Sequence, residues 1–220
     1  NVSVYEYRKR LGSQLAKETH TESDLIVPVP DSGVPAAIGY AEEIKKNIEL
    51  GIIRNHYVGR TFIEPTQKIR SFGVKLKHSI NKPLVNGKSL ILIDDSLVRG
   101  TTSLKIVNML YESGAKDVHL RIASPPIKYP DYYGVDTPTK KELIASSNDI
   151  ENIKKIINCT TLEFLSIEGL YKSMGYEKRN SSYPQFTDHC FTGDYPIKPI
   201  DKLGDNKITQ LSLLSTASNN

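Results

Sequence analysis

Leu90-Ile91-Leu92-Ile93-Asp94-Asp95-Ser96-Leu97-Val98-Arg99-Gly100-Thr101-Thr102-Ser103 runs from four apolar residues into two adjacent carboxylates, then into hydroxyl, glycine and cationic residues. The apolar part suits a strand buried on both faces, the habit of a parallel sheet in an α/β protein. Ligands in such sheets bind outside the carboxyl ends of the strands, where Asp94 and Asp95 fall. Side chains alternate along a strand, so the two carboxylates diverge to opposite sides of a ligand. Gly100 lets the backbone approach an anion closely. Thr101 and Thr102 bring hydroxyls and N–H groups to a helix N-terminus, whose partial positive charge favours phosphate. Arg99 adds a permanent cation in the same turn. The Asp pair alone would fit a solvated turn with a helix N-cap equally well. The whole combination points to a ligand that is both metal-bound and phosphorylated.

Outward from this run the chain alternates strand and helix signals. Tyr7 to Glu18 is predicted helical, Leu25 to Val29 a short strand, Pro35 to Lys46 a helix with proline tolerated in its first turn. Leu50 to Ile53 reads as a second strand. Thr102 to Ser113 is the helix after the central strand, Val118 to Ala123 a further strand, and Lys140 to Met174 a set of peripheral helices. This alternation argues for an α/β fold with a parallel twisted sheet flanked by helices. Residues 1–180 form the expected main domain. Residues 181–220, polar and broken by Pro184, Pro196 and Pro199, are expected to be an irregular tail that packs on it or trails from it, with 212–220 loosely ordered.

Two further segments carry candidate chemistry. Val29-Pro30-Asp31-Ser32-Gly33 ends the first strand at the same edge; alone it reads as a strand-to-helix turn with Asp31 or Ser32 as cap. Between Arg54 and Lys82 lies a long segment with Arg54, Arg60, Lys68, Arg70, Lys75, Lys77 and Lys82 against one acid, Glu64. Loops of this length are usually functional lids or disordered stretches. A solvated basic surface is its plainest reading.

The run Ile93 to Ser103 resembles the phosphoribosyl-pyrophosphate (PRPP) loop of type I phosphoribosyltransferases. The Ser96-Leu97-Val98-Arg99 insert is similar to the form found in the amidophosphoribosyltransferase family. Asn55-His56-Tyr57-Val58-Gly59-Arg60-Thr61-Phe62-Ile63 and Val29 to Gly33 strengthen that resemblance, which runs from about Tyr7 to Tyr195. It implies a type I phosphoribosyltransferase fold with a flexible hood loop and a helical C-terminal extension. It also implies Mg²⁺-dependent transfer of phosphoribose from PRPP to ammonia, giving 5-phosphoribosylamine and pyrophosphate. On this reading Ser32, Gly33, Asp94, Asp95, Ser96, Arg99, Gly100, Thr101 and Thr102 bind PRPP. Ser32, Asp94 and Asp95 hold the metal. Tyr57, Arg60, Thr61, Phe62, Ile63 and Lys75 belong to the hood, and Asp94, Asp95 and Arg60 are catalytic. His56 stands where the family usually has arginine. The resemblance also implies homo-oligomers, purine nucleotides as inhibitors, and ammonia drawn from glutamine by an N-terminal glutaminase domain. Nothing in this sequence resembles such a domain, and the chain starts at Asn1 without an initiator Met, which reads as a processed or excised piece.

Two other functions stay open from the sequence: a nucleobase phosphoribosyltransferase, and a non-catalytic module that binds PRPP or a nucleotide. Asn86-Gly87-Lys88-Ser89 has the tail of a nucleotide-binding Walker loop, but Lys82 stands at its first glycine position and it precedes a strand. A net charge of +4, from 29 basic and 25 acidic residues, gives no basic block that would suggest nucleic acid. No apolar run approaches the roughly 20 residues that span a membrane, and no signal peptide is visible. Two cysteines, Cys159 and Cys190, make no disulfide framework, so the cytoplasm is the expected location. Some members of the family carry a four-cysteine iron–sulfur cluster. Cys190 lies in a similar C-terminal segment, but two cysteines cannot form the four-thiolate cluster, and none is expected.

Overall fold

In a computed structural model, residues 2–55 and 78–197 are described. A four-stranded parallel sheet in the order β1-β4-β5-β6 organises them. Its strands are β1 (Leu25–Pro28), β4 (Ser89–Asp94), β5 (Asp117–Ile122) and β6 (Thr161–Phe164). The central strand β4 pairs with β1 from Leu25↔Leu90 to Pro28↔Ile93 and with β5 from Ser89↔Asp117 to Asp94↔Ile122. The period-2 alternation of β4 sorts its apolar residues onto two cores. Leu90 and Leu92 join the core that holds Ile106, Val107 and Leu110 of α4 (Thr101–Glu112). Ile91 and Ile93 join the core under α1 (Val4–Thr19) and α2 (Val34–Glu43).

α1 and α2 cross with their backbones nearly touching. A Cβ at Gly12 would sit 1.8 Å from the Ala36 carbonyl oxygen, and one at Gly39 1.8 Å from that of Lys9. Ser3 caps α1 by accepting the Glu6 N–H at 3.0 Å. The C-terminal end of α1 is tied to the sheet by Arg121, which donates from Nε to the Thr19 carbonyl at 2.9 Å. This guanidinium is buried, yet it also donates to Thr161 Oγ1 and the Leu120 carbonyl, so the charge enters the interior with hydrogen-bond partners.

The structure differs from the sequence expectations in three places. The strand expected at 50–53 is β2 (Ile52–Arg54), which pairs antiparallel with β3 (His78–Ile80) in a separate ribbon instead of joining the parallel sheet. A short helix α3 (Lys82–Val85) follows it. The region 140–174 is not all helix. After α5 (Ile144–Ser147) and α6 (Ile150–Ile157), β6 pairs with β5 at the sheet edge, and α7 (Ile167–Ser173) follows. Within 181–197 the chain forms the short helix α8 (His189–Thr192). No helix among the described residues is long and apolar enough to cross a membrane.

Candidate active site

The sheet brings two of the expected loops together. Backbone bonds from Val29 N–H to the Ile93 carbonyl (2.8 Å) and from Ala123 N–H to the Asp94 carbonyl (2.9 Å) hold the ends of β1, β4 and β5 level. The turn after β1 starts at Val29 and contains a cis Pro30–Asp31 peptide. Gly33 closes it by donating its N–H to the Val29 carbonyl at 2.9 Å. That donor is therefore spent inside the turn. What Gly33 supplies is the lack of a side chain, since a Cβ there would lie 2.4 Å from the Ile93 carbonyl oxygen. Asp31 forms an ion pair with Arg54 of β2, linking this turn to the β2–β3 ribbon.

The loop after β4 is anchored at both ends. Leu97 is buried in the core, and Ile144 donates its N–H to the Val98 carbonyl at 2.9 Å. Gly100 adopts φ 75°, a left-handed conformation that favours glycine, and a Cβ there would also meet Ile144 Cδ1 at 2.7 Å. α4 begins next with no side chain capping its N-terminus. Its first-turn N–H groups, with the Thr101 and Thr102 hydroxyls, form the kind of end that receives phosphate. Ser96 donates its hydroxyl to Asp95 Oδ1 at 3.2 Å. Arg99 turns outward to Glu142, with Nε at 3.2 Å and a terminal nitrogen at 3.1 Å from Oε1.

Asp94 and Asp95 sit in different surroundings, one buried and one on a cavity. Asp94 is 7% exposed and accepts the Asp95 N–H at 2.9 Å. Burial first, and the Asp95 charge second, push its carboxyl up to about 8. Asp95 faces a cavity of about 370 Å³ that Ser32 also lines. A buried acid beside a second carboxylate is stabilised by a cation. The all-oxygen set of Ser32, Asp94 and Asp95 suits Mg²⁺, so these residues fit the ion.

The rest of the cavity wall was not foreseen from the sequence. α1 gives Tyr7, Arg8 and Leu11, α7 and its C-cap give Leu170 and Met174, and the C-terminal segment gives Phe186, Asp188 and Phe191. Asp188 is buried and holds that segment down: Tyr171 donates its hydroxyl at 2.8 Å, and Arg179 donates from Nε at 2.5 Å and from a second nitrogen at 3.2 Å. Burial by itself would raise this carboxyl, but the Arg179 and Tyr171 hydrogen bonds outweigh it and hold it below the usual range. Nothing local marks Asp188 in the sequence, because all these partners arise from tertiary packing. Tyr57, Arg60, Thr61, Phe62, Ile63 and Lys75, with His56, lie outside the described residues.

A parallel sheet whose carboxyl edge brings together the turn after β1, the glycine–threonine turn after β4 and an acidic pair with one buried member defines the type I phosphoribosyltransferase class. No family model matches the chain. Curated relatives do. The chain is 57% identical over 215 residues to the amidophosphoribosyltransferase of Rhizobium etli, covering 97% of this chain and 43% of the relative. With that of Bacillus subtilis it shares 51% over 197 residues, covering 90% and 41%. The solved structure of the B. subtilis glutamine PRPP amidotransferase, complexed with ADP and GMP, superposes with a TM-score of 0.78 at 50% identity. It matches 89% of this chain and 43% of that one. The chain belongs to the amidophosphoribosyltransferase family and spans less than half the length of these relatives.

Proposed function

We propose that this chain carries the Mg²⁺-dependent transfer of phosphoribose from PRPP to ammonia, giving 5-phosphoribosylamine and pyrophosphate, the opening step of purine synthesis. The observation that carries the reading is the meeting of Ser32 and Asp95, from separate loops, on one cavity beside buried Asp94. Ammonia attacks the anomeric carbon as the bond to pyrophosphate breaks, and the extra proton leaves to solvent. The nucleophile needs no strong base, so catalysis rests on positioning and charge stabilisation. The loop from Ser96 to Thr102 holds the 5′-phosphate, and Asp94 and Asp95 hold ribose hydroxyls and the metal with Ser32. An Mg²⁺ ion held by these residues would supply charge neutralisation for the leaving pyrophosphate. We assign Arg60 and Lys75 to the pyrophosphate and the other hood residues to closure over it. Arg99 would have to leave Glu142 to reach the phosphate.

The apolar side chains of Leu11, Leu170, Met174, Phe186 and Phe191 beside Ser32 and Asp95 suit an uncharged nucleophile better than ammonium. Glutamine is not expected to serve this chain alone. Its cysteines are buried Cys159 and Cys190, which lies against Asp131, and neither is placed like a terminal nucleophile. We further propose homo-oligomers, a cytoplasmic location, and purine nucleotides as inhibitors, as suits the ADP- and GMP-bound relative. Chloroplastic relatives in Arabidopsis thaliana make a plastid the alternative compartment.

The test supplies PRPP and Mg²⁺ with ammonia, glutamine or a nucleobase in turn, and follows pyrophosphate release. Ammonia-dependent release that Asp95→Ala abolishes is expected. Release only with a base would make the chain a nucleobase transferase, and calorimetric PRPP binding without release would make it a regulatory module.

A further inference from the structure

Beside this cavity but not lining it, three side chains with metal-ligating atoms meet at the seam between the loop 129–137 and α8. The ligand atoms of Asp131, His189 and Cys190 all lie within 4.8 Å of one another. Asp131 Oδ2 is 2.8 Å from His189 Nε2 and 3.9 Å from Cys190 Sγ. We propose that these three residues bind a single divalent transition-metal ion of the zinc class, which clamps the C-terminal segment to this loop.

The donor set chooses the ion. One imidazole, one thiol and one carboxylate suit Zn²⁺ or Co²⁺, whereas Mg²⁺ takes oxygen ligands. A single cysteine excludes a four-thiolate cluster at this spot. Ligand bonds of about 2.0–2.3 Å in a tetrahedron place neighbouring donors about 3.3–3.6 Å apart. The observed separations of 2.8 and 3.9 Å lie on either side of that range. Shifts of about half an ångström would therefore admit an ion, with water as a fourth ligand. On binding, a sulfur–metal bond forms and the Cys190 proton passes to solvent.

The surroundings aim all three groups. Asp131 Oδ1 accepts backbone N–H groups from Tyr133 (2.7 Å), Gly134 (3.0 Å) and Val135 (3.0 Å), which turns Oδ2 toward His189 and Cys190. Such outer partners orient ligating carboxylates in metal sites. The His189 ring is 3% exposed and packs between Tyr133, edge-on with centroids 5.0 Å apart, and Tyr195, also at 5.0 Å. Its Nδ1 is buried without a hydrogen-bond partner among the described residues, so the ring acts only through the nitrogen that faces the carboxylate. The Cys190 carbonyl accepts N–H groups from Lys128 (2.9 Å) and Tyr129 (3.0 Å), and the Tyr195 hydroxyl donates to the Pro130 carbonyl (2.8 Å). These bonds fix the two strips of chain against each other before any ion arrives.

The test strips the full chain with a chelator, reloads it with Zn²⁺ or Co²⁺, and measures metal content after gel filtration. About one ion per chain is expected, together with a raised melting temperature. The cobalt form should show tetrahedral visible bands and a thiolate-to-cobalt band that Cys190→Ser removes. Asp95→Asn, which alters the proposed Mg²⁺ site, should leave that band in place. Unchanged melting with only substoichiometric metal overturns the proposal. So does a cobalt spectrum of the unaltered chain without the thiolate band, a measurement that needs no variant to fold.

Discussion

Asp95 donates its backbone N–H to the Asp94 carboxylate at 2.9 Å while its own carboxylate faces the cavity with Ser32. One member of the pair thus orients the other, and burial loads the strain of ionisation on Asp94. An acid whose folded pKa is raised takes up a proton on folding. Its contribution to stability is full below the unfolded value near 3.9 and is lost as pH rises toward about 8. Asp94→Asn should therefore melt about 4 °C or more above the unaltered protein at pH 8.5, with the difference shrinking toward pH 4. It should also lose PRPP turnover. Scanning calorimetry of both proteins across pH, with a pyrophosphate-release assay, checks the two outcomes. Mg²⁺ with PRPP should flatten the slope of the unaltered protein, because a bound cation favours the ionised carboxylate.

The crossing of α1 and α2 depends on Gly12 as much as on any apolar contact. A methyl group there would meet the Ala36 backbone at its carbonyl oxygen, carbonyl carbon and Cα, none of which can rotate away. Gly12→Ala should cost about 2–3 kcal/mol, despite the better helix propensity of alanine. Since α1 also carries Tyr7, Arg8 and Leu11 of the cavity wall, its displacement should raise KM for PRPP together with the loss of stability. Urea denaturation and steady-state kinetics on the same preparation test both.

Much of this site is visible in the sequence, and for a local reason. The run from Leu90 to Thr102 carries its strand, its turn and its helix start within one short window, so composition and order suffice. β6 escapes because four residues, Thr161 to Phe164, lie between helical patterns; their alternation of polar and apolar side chains is its one signal. The β2–β3 ribbon pairs residues far apart along the chain, which no window reads. The roof of the cavity, where Asp188 meets Tyr171 and Arg179, exists only once α7 and the C-terminal segment have packed. The outward turn of Arg99 also depends on distant sequence, since Glu142 lies beyond the whole of β5.

Asp188 ties the cavity roof to α7 through Tyr171 and to the chain before it through Arg179. Removing one partner of a buried charged pair strands the other, at a cost of about 3–5 kcal/mol. Asp188→Ala should fall at the low end of that range, because Arg179 keeps Asp194 at 2.6 Å. The lowered carboxyl makes this contribution full above the unfolded value and lost as pH falls through the folded one. The segment 186–195 should consequently loosen in acid, below about pH 4. Hydrogen exchange at Phe191 to Asp194 as a function of pH reports it, and protection that persists unchanged to pH 2 would refute the assignment.

Arg99 separates binding from folding most cleanly. Its partner Glu142 is half-exposed, as Arg99 is, and the Thr139 hydroxyl and the Arg99 guanidinium hold that carboxyl below its usual range. An exposed, solvent-screened pair of this kind contributes little to stability. Arg99→Ala should therefore move the melting temperature by no more than about 2–4 °C. If Arg99 swings from Glu142 to the 5′-phosphate of PRPP, the same change should raise KM for PRPP by about tenfold or more, the worth of one charge-assisted contact. Glu142→Gln supplies the converse: by releasing Arg99 it should lower that KM or leave it unchanged, with melting little affected. A KM unmoved in Arg99→Ala would assign the residue to the surface and leave the 5′-phosphate to Ser96, Gly100, Thr101 and Thr102.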